Sequence, residues 1–155
     1  MHLKIKIISI GNNPPKSIQD ILLKYTSRFD DHFKIELLEI KPEKKFKSVE
    51  HKKFQEAQKI LKFIDTDFIV SLDENGSTCS SKNLSKKLSN WMQSFPKVTF
   101  IIGGADGLDK NIIENSNWTW SLSDLTLPHH LVKIILVEQL YRASTILNNL
   151  PYHRE

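Results

Sequence analysis

The chain has 155 residues, about the length of one globular domain, and 39% of them are apolar and 26% charged. This composition excludes a disordered chain, and no apolar run approaches the roughly 18 residues of a transmembrane helix. From the length we expect one domain over residues 1–155. The single cysteine, Cys79, excludes an internal disulfide and a cysteine-based zinc site, so we expect the protein in the cytoplasm. Twenty-two Lys and Arg against 18 Asp and Glu are compatible with a polyanionic partner, but many basic proteins have none.

Five apolar segments rich in β-branched residues alternate with helical patterns, and we predict that each of them is a β-strand. These segments are Leu3–Ile10, Phe33–Ile40, Phe68–Leu72, Val98–Ile102 and Trp118–Leu122. They lack a polar face, as strands do when helices cover both sides of a parallel sheet. The alternation therefore predicts an α/β fold with a mostly parallel sheet covered by helices.

Residues that begin helices and turns delimit the segments between the strands. Pro14-Pro15 precedes the first helical pattern, Ser81 is placed to cap the third, and Asp109 is placed to cap a short fourth one. Asn75-Gly76 predicts a turn directly after the third strand. These signals put a helix between consecutive strands, as in a chain of βα units.

The last helical pattern, Leu131–Leu147, carries apolar residues on more than one face. A surface helix of a small domain normally buries a single apolar stripe. The additional apolar surface therefore indicates either a homodimer interface or a central position within the fold.

A glycine loop, Gly103-Gly104-x-x-Gly107, follows the fourth strand at its carboxyl end. Ligands bind at this end of open α/β sheets. The loop lacks the G-x-G-x-x-G pattern of dinucleotide-binding proteins and the lysine of a P-loop. It is therefore either part of a ligand site or a tight turn between a strand and a helix.

A second polar loop, residues 121–126, is rich in Ser and Thr and follows the fifth strand, and Pro128 ends it before the last helix. Its short side chains could merely cap that helix. Together with the glycine loop and the strand end at Leu72-Asp73, however, it predicts a pocket lined by backbone N–H and C=O groups. Such a pocket suits a cofactor with a purine or an amino-acid moiety better than a bare phosphate, because the loops contain no cluster of Lys or Arg.

Other residues give little sign of chemistry on their own. His129 and His130 are adjacent and have no histidine at helical spacing, so we expect no metal site. Cys79 has no evident base partner, and a nucleophile elbow is missing. The terminal segment Pro151–Glu155 would ordinarily be a frayed tail, although Tyr, His and Arg are residue types that hold an unstacked nucleotide.

Four ordered motifs resemble the ribosomal RNA large subunit methyltransferase H family over the full chain: IIGGxxGL at Ile101–Leu108, WSLSxLTLPH at Trp120–His129, EQLYRA at Glu138–Ala143 and PYHRE at Pro151–Glu155. The resemblance implies a SPOUT-type α/β-knot with a C-terminal trefoil knot, a homodimer, and no separate RNA-binding domain. It implies S-adenosyl-L-methionine as the cofactor and N3 of a pseudouridine in large-subunit ribosomal RNA as the methyl acceptor, in the assembled ribosome. The alternatives are a non-catalytic, basic ribosome-assembly module of the same fold and a flavodoxin-like nucleotide-binding protein.

By position in the motifs, the resemblance implies cofactor contacts at Leu72, Gly103, Gly104, Ser123, Asp124, Leu125, Thr126, Leu127 and Pro128. From the chemistry of the residues we add the hypothesis that Arg142, Tyr152, His153 and Arg154 contact the substrate and that His129, Arg142, His153 and Arg154 have catalytic roles. The arginines would grip phosphate or uracil-type carbonyls, the tyrosine would stack, and one of the two histidines would assist proton removal.

Because the tail follows the apolar last helix, we expect it to complete the site of a partner subunit. Phosphate contacts are expected from a lysine-rich face at residues 44–53 or at residues 82–87.

Overall fold

The computed structural model describes residues 1–65 and 68–154. Its five strands are β1 (Leu3–Ile10), β2 (Phe33–Ile40), β3 (Phe68–Ser77), β4 (Lys97–Ile102) and β5 (Trp118–Trp120). They form one sheet in the order β2-β1-β4-β3-β5, and all neighbouring strands are parallel. The predicted parallel α/β fold is confirmed, and the C-terminal knot stays a prediction.

Five helices connect the strands and cover the sheet: α1 (Lys16–Thr26), α2 (Val49–Leu61), α3 (Ser81–Ser94), α4 (Lys110–Glu114) and α5 (His129–Leu147). Side chains of a strand alternate between its two faces, and the buried residues accordingly form two clusters. One cluster packs residues of α1, α3 and α5 against the sheet, and the other packs residues of α2 and α4 against the opposite face. The sheet is therefore the middle of three layers.

The central strands explain the apolar pattern of the sequence. Every residue of β1 except Lys4 is buried, and so is every residue of β4 except Lys97. Lys6 is buried too, and its ammonium group donates a hydrogen bond of 2.9 Å to the backbone oxygen of Phe63. A charged residue is tolerated in this strand because its donor is paired.

Several local predictions are wrong. The strand β5, predicted to reach Leu122, ends at Trp120. The strand β3 does not end before Asn75-Gly76 but continues to Ser77, which pairs with Trp120 after a shift in register. Pairing with β5 outweighs the turn preference there, and Gly76 is needed because a Cβ would lie 2.6 Å from the backbone oxygen of Thr119. The cap of α3 is Ser80, whose hydroxyl accepts from the backbone N–H of Asn83, rather than Ser81.

The helix α5 is the longest in the fold and begins at His129, two residues earlier than the apolar pattern indicates. It packs against α3 and α1, and residues such as Leu136 and Leu140 are fully buried. Its central position explains part of the apolar excess, but Leu131 is 44% exposed. In the two described ranges, no helix is both long and apolar enough to cross a membrane.

Candidate functional site at the carboxyl ends of the central strands

A cleft of about 650 Å³ lies at the carboxyl edge of the sheet. Its walls come from the end of β3 with residues 72–75, the glycine loop with residues 103–108, and the end of β5 with the following loop, residues 120–123 and 125–127. The predicted convergence of three strand ends is therefore confirmed. This volume falls within the range of about 300–1,000 Å³ of ordinary ligand pockets.

The glycine loop has little room for larger residues. A Cβ on Gly103 would lie 2.7 Å from the backbone carbon of Gly107 and 2.9 Å from its oxygen. Gly107 has φ of +83°, a conformation that side chains disfavour, and its N–H donates to the oxygen of Gly104. Asp109, as predicted, caps α4 by accepting from the backbone N–H of Asn111.

The loop after β5 uses its own side chains to fix its shape. The hydroxyl of Ser121 donates to the backbone oxygen of Ser123, and the hydroxyl of Ser123 accepts from the N–H of Leu125. Pro128 precedes the first residue of α5 and makes no side-chain cap. The serines therefore shape the loop, and Leu125 is left 73% exposed above the cleft.

Among the predicted cofactor contacts, Leu72, Gly103, Gly104, Ser123, Leu125, Thr126 and Leu127 line the cleft. Asp124 and Pro128 belong to the same loop but do not line the cleft itself. The indole Nε1 of Trp120, buried in the cleft wall, has no hydrogen-bond partner within the described ranges. A tight glycine loop and a buried unpaired donor fit an organic ligand with both polar and apolar parts.

His129 lies at the cleft wall in the first turn of α5 and faces a charged cluster below it. Its Nε2 is 3.8 Å from Oε1 of Glu39, longer than a hydrogen bond but within reach of an ion pair. The other oxygen of Glu39 accepts hydrogen bonds from Lys133 and from the hydroxyl of Ser9. Gly11 leaves space for this arrangement, because a Cβ there would lie 2.6 Å from the imidazole.

The electrostatics of this cluster favour an ionised Glu39. Burial opposes ionisation, but the interactions with His129, Lys133 and Ser9 outweigh it and lower the pKa of the Glu39 carboxyl to about 2. Lys133 is almost completely buried, so this carboxylate is the counter-charge that permits an ammonium group in the interior. The cluster therefore joins β1, β2 and the start of α5 through buried polar contacts.

The predicted substrate residues gather at the other end of α5. The guanidinium of Arg142 donates to Oε1 of Glu138 through Nε at 3.0 Å and Nη2 at 2.6 Å. Tyr152 donates to the same oxygen, its ring lies 4.9 Å from the Arg142 guanidinium carbon, and Nδ1 of His153 is 3.2 Å from Nη1 of Arg142. The tail is therefore folded onto α5 rather than frayed.

We call Glu138, Arg142, Tyr152 and His153 the tail cluster, and its contacts shift the pKa values of two of its side chains. Burial, together with Tyr25 and the charge of Glu138, raises the pKa of the Tyr152 phenol well above its ordinary value. The ion pair with Glu138 raises the pKa of Arg142. Tyr152 is therefore a neutral ring packed edge-on against Tyr141, whereas Arg154 is exposed. Glu155 of the PYHRE motif lies outside the described residues.

The structure divides the predicted catalytic residues into two groups. Arg142 lies thirteen positions after His129 in the same helix, a distance of about 20 Å along the axis at 1.5 Å per residue. No tail residue lines the cleft in the described part of the chain. One copy of the chain therefore does not bring the cleft and the tail cluster together.

Sequence reasoning missed three site residues. Glu39 and Lys133 are 94 positions apart and lie within segments that read as ordinary strand and helix, so only the tertiary contact identifies them. Glu138 lies within the EQLYRA motif, four residues before Arg142, and this spacing is the signal that could have predicted their ion pair. In residues 1–65 and 68–154, no three His, Cys, Asp or Glu side chains are grouped as metal ligands.

Residues 3–153 match the profile of a family described as predicted SPOUT methyltransferases. A protein named ribosomal RNA large subunit methyltransferase H from Methylobacillus flagellatus is 41% identical over 99% of this chain and 100% of its own length. The protein of the same name from Francisella tularensis subsp. novicida is 42% identical, over 98% of this chain and 100% of its own. A solved structure of a probable methylase family protein from Haemophilus influenzae has a TM-score of 0.56 at 14% identity, with 99% of this chain and 70% of that chain covered. The similarity therefore extends over both the cleft and the tail.

Proposed function

Because the chain belongs to the SPOUT methyltransferase family, we propose that it transfers a methyl group from S-adenosyl-L-methionine to N3 of a pseudouridine in large-subunit ribosomal RNA. The observation that carries this proposal is the cleft, in which three strand ends meet. The chain that forms it is 41% identical, over 99% of its length, to a protein named ribosomal RNA large subunit methyltransferase H. The reaction takes place in the cytoplasm, on the assembled ribosome.

The cleft walls supply the groups that such a methyl donor needs. The glycine loop and residues 121–128 offer backbone N–H and C=O groups to the adenosine and the amino-acid moiety, while Leu72 and Leu127 provide apolar contact. When bound, S-adenosyl-L-methionine supplies an electrophilic methyl group on a sulfonium. The loops keep the donor in one orientation, and positioning of this kind accounts for much of a transfer reaction's rate.

His129 is the residue best placed to accept the proton of N3. Its Nε2 faces the carboxylate of Glu39, which favours the tautomer with the proton on Nε2, and in that tautomer Nδ1 is the proton acceptor. The negative charge of Glu39 then stabilises the imidazolium that forms. Glu39 therefore acts as a positioning residue for a general base at the cleft wall.

The tail cluster binds the RNA in the site of a second subunit. Arg142 and Arg154 contact phosphate or base carbonyls, and Tyr152 and His153 hold the target nucleotide. Within one chain these residues are about 20 Å from His129 along α5, so a homodimer in which each tail reaches the partner's cleft joins the two groups. Leu131, 44% exposed, and the half-buried Ile135, one turn further on, provide apolar surface for such a dimer.

Two measurements test the proposed function. Calorimetry should show binding of S-adenosyl-L-methionine to the purified protein, and absence of binding would overturn the proposal. With radiolabelled donor and ribosomal subunits from cells that lack this gene, label should enter large-subunit RNA and not small-subunit RNA. Nucleoside mass spectrometry of the labelled RNA should then locate the methyl group on N3 of pseudouridine, and any other modified base would contradict the assigned acceptor.

A further inference from the structure

The segment between β2 and the first turns of α2 carries a dense positive charge. Residues 41–53 contain six lysines and two glutamates. Lys44, Lys45 and Lys47 are exposed, and neither they nor Lys53 take part in an ion pair within the described ranges. We call Lys44, Lys45, Phe46, Lys47 and Lys53 the α2 cationic face. Unpaired lysines of this density attract a polyanion.

The α2 cationic face adjoins the cleft. Lys53 lines the cleft directly, as does Lys110 at the start of α4. The neighbouring Lys52 donates a hydrogen bond of 2.9 Å to the carboxylate of Asp106 in the glycine loop. This ion pair fixes the first turns of α2 against the loop, so the α2 cationic face lies directly beside the cleft, whose own wall also carries the carboxylates of Asp73, Glu74 and Asp106.

An aromatic ring lies among these lysines. Phe46 is 47% exposed, and the ammonium group of Lys52 is 5.3 Å from the centre of its ring. Surfaces that bind single-stranded RNA combine lysines along the phosphate backbone with an aromatic side chain on which a base stacks. An exposed Phe between Lys45 and Lys47 provides both parts within three consecutive residues.

The other lysine-rich segment, residues 82–87, does not adjoin the cleft. The cleft is lined by no lysine of α3. Lys87 lies 4.5 Å from the centre of the Trp118 ring and is engaged there, and Lys82 also has a contact. The helix α3 instead packs against α5, with the hydroxyl of Ser81 donating to Gln139. Position beside the cleft therefore favours the α2 cationic face over residues 82–87.

We propose that the α2 cationic face binds the phosphate backbone of the RNA strand that leads into the cleft, with Phe46 stacking on an unpaired base beside the target nucleotide. This inference rests on the proposed function for the identity of the RNA, but its binding surface can be measured separately from methyl transfer. Each lysine that neutralises a phosphate contributes about 0.7–0.9 to the slope of log K against log salt concentration.

The test compares two matched double variants for binding to large ribosomal subunits at several salt concentrations. Lys45→Ala/Lys47→Ala should reduce the salt slope by about 1.5, and it should raise KM for the subunit without changing kcat at saturation. The control Lys82→Ala/Lys86→Ala should leave both quantities at the wild-type values. An unchanged slope in the first variant, or an equal reduction in the control, would overturn the proposal.

A crosslinking experiment identifies the partner. Phe46 is replaced by the photoreactive p-benzoylphenylalanine, and the protein is irradiated on large subunits. A crosslink to RNA supports the proposal, whereas a crosslink only to a ribosomal protein, or no crosslink, would overturn it. If the wild-type protein binds subunits through the α2 cationic face but transfers no methyl group, the binding surface stands and the proposed function fails.

Discussion

Oε1 of Glu39 on β2 and Nε2 of His129 in the first turn of α5 lie 3.8 Å apart, and the second oxygen of the same carboxylate pairs with the buried Lys133. One carboxylate therefore stabilises an interior ammonium group and orients a histidine at the cleft wall. Because the two contacts share one residue, its replacement should affect both stability and activity.

We expect Glu39→Gln to lower the free energy of unfolding by about 3–5 kcal/mol, because it leaves the ammonium group of Lys133 buried without a counter-charge. Urea denaturation measures this change. Glu36→Gln on the same strand is the matched control, since Glu36 pairs with Lys4 on the surface and should contribute less than about 1 kcal/mol. The double variant Glu39→Gln/Lys133→Met should recover much of the loss, and a double variant as unstable as Glu39→Gln would contradict this explanation.

The same carboxylate predicts a loss of stability in acid. The pKa of Glu39 is lowered from 4.5 to about 2 in the folded protein, so its ionised form stabilises the fold. Its contribution is complete above about pH 4.5 and is lost as the pH falls towards 2. The difference in unfolding free energy between the wild type and Glu39→Gln should therefore shrink across this window. A difference that stays constant from pH 6 to pH 2 would show that Glu39 titrates normally.

Replacement of the proposed general base separates chemistry from binding. His129→Gln should reduce kcat by about 10²–10⁴ and leave the affinity for S-adenosyl-L-methionine within a few-fold of the wild type. The matched control is His130→Gln, the adjacent ring at 5.5 Å between centroids, which should retain kcat. Equal losses in both variants would indicate a structural effect at the start of α5 rather than proton transfer.

The glycine loop should tolerate alanine at position 104 better than at position 103. In Gly103→Ala the new Cβ would meet backbone atoms of Gly107 at 2.7 Å and 2.9 Å, which cannot move without reshaping the loop. In Gly104→Ala it would meet only side-chain atoms, Cγ2 of Ile10 at 3.2 Å and Oε1 of Glu56 at 3.8 Å. Calorimetry should therefore show a much greater loss of affinity for S-adenosyl-L-methionine in Gly103→Ala. The reverse order would contradict the loop geometry.

The sequence predicts those parts of the structure that follow from local patterns. Alternating apolar segments predict the parallel sheet, and its strand ends predict the cleft, because parallel strands bring their carboxyl ends to one edge. The continuation of β3 past Asn75-Gly76 depends on pairing with Trp120, which no local signal contains. The contact of Glu39 with Lys133 likewise joins distant segments. The tail is held on α5 by contacts of Tyr152 and His153 with Glu138, Tyr141 and Arg142, which the sequence pattern does not contain.

The central claim is that methyl transfer requires the cleft of one subunit and the tail of its partner. Mixed dimers of a chain lacking residues 151–155 and a Gly103→Ala chain test it most directly, with labelled methyl incorporation into large ribosomal subunits as the readout. Each parent dimer should be inactive, whereas the mixed dimer, which retains one intact cleft facing one intact tail, should show about half of the wild-type activity. A mixed dimer no more active than either parent would contradict the shared site.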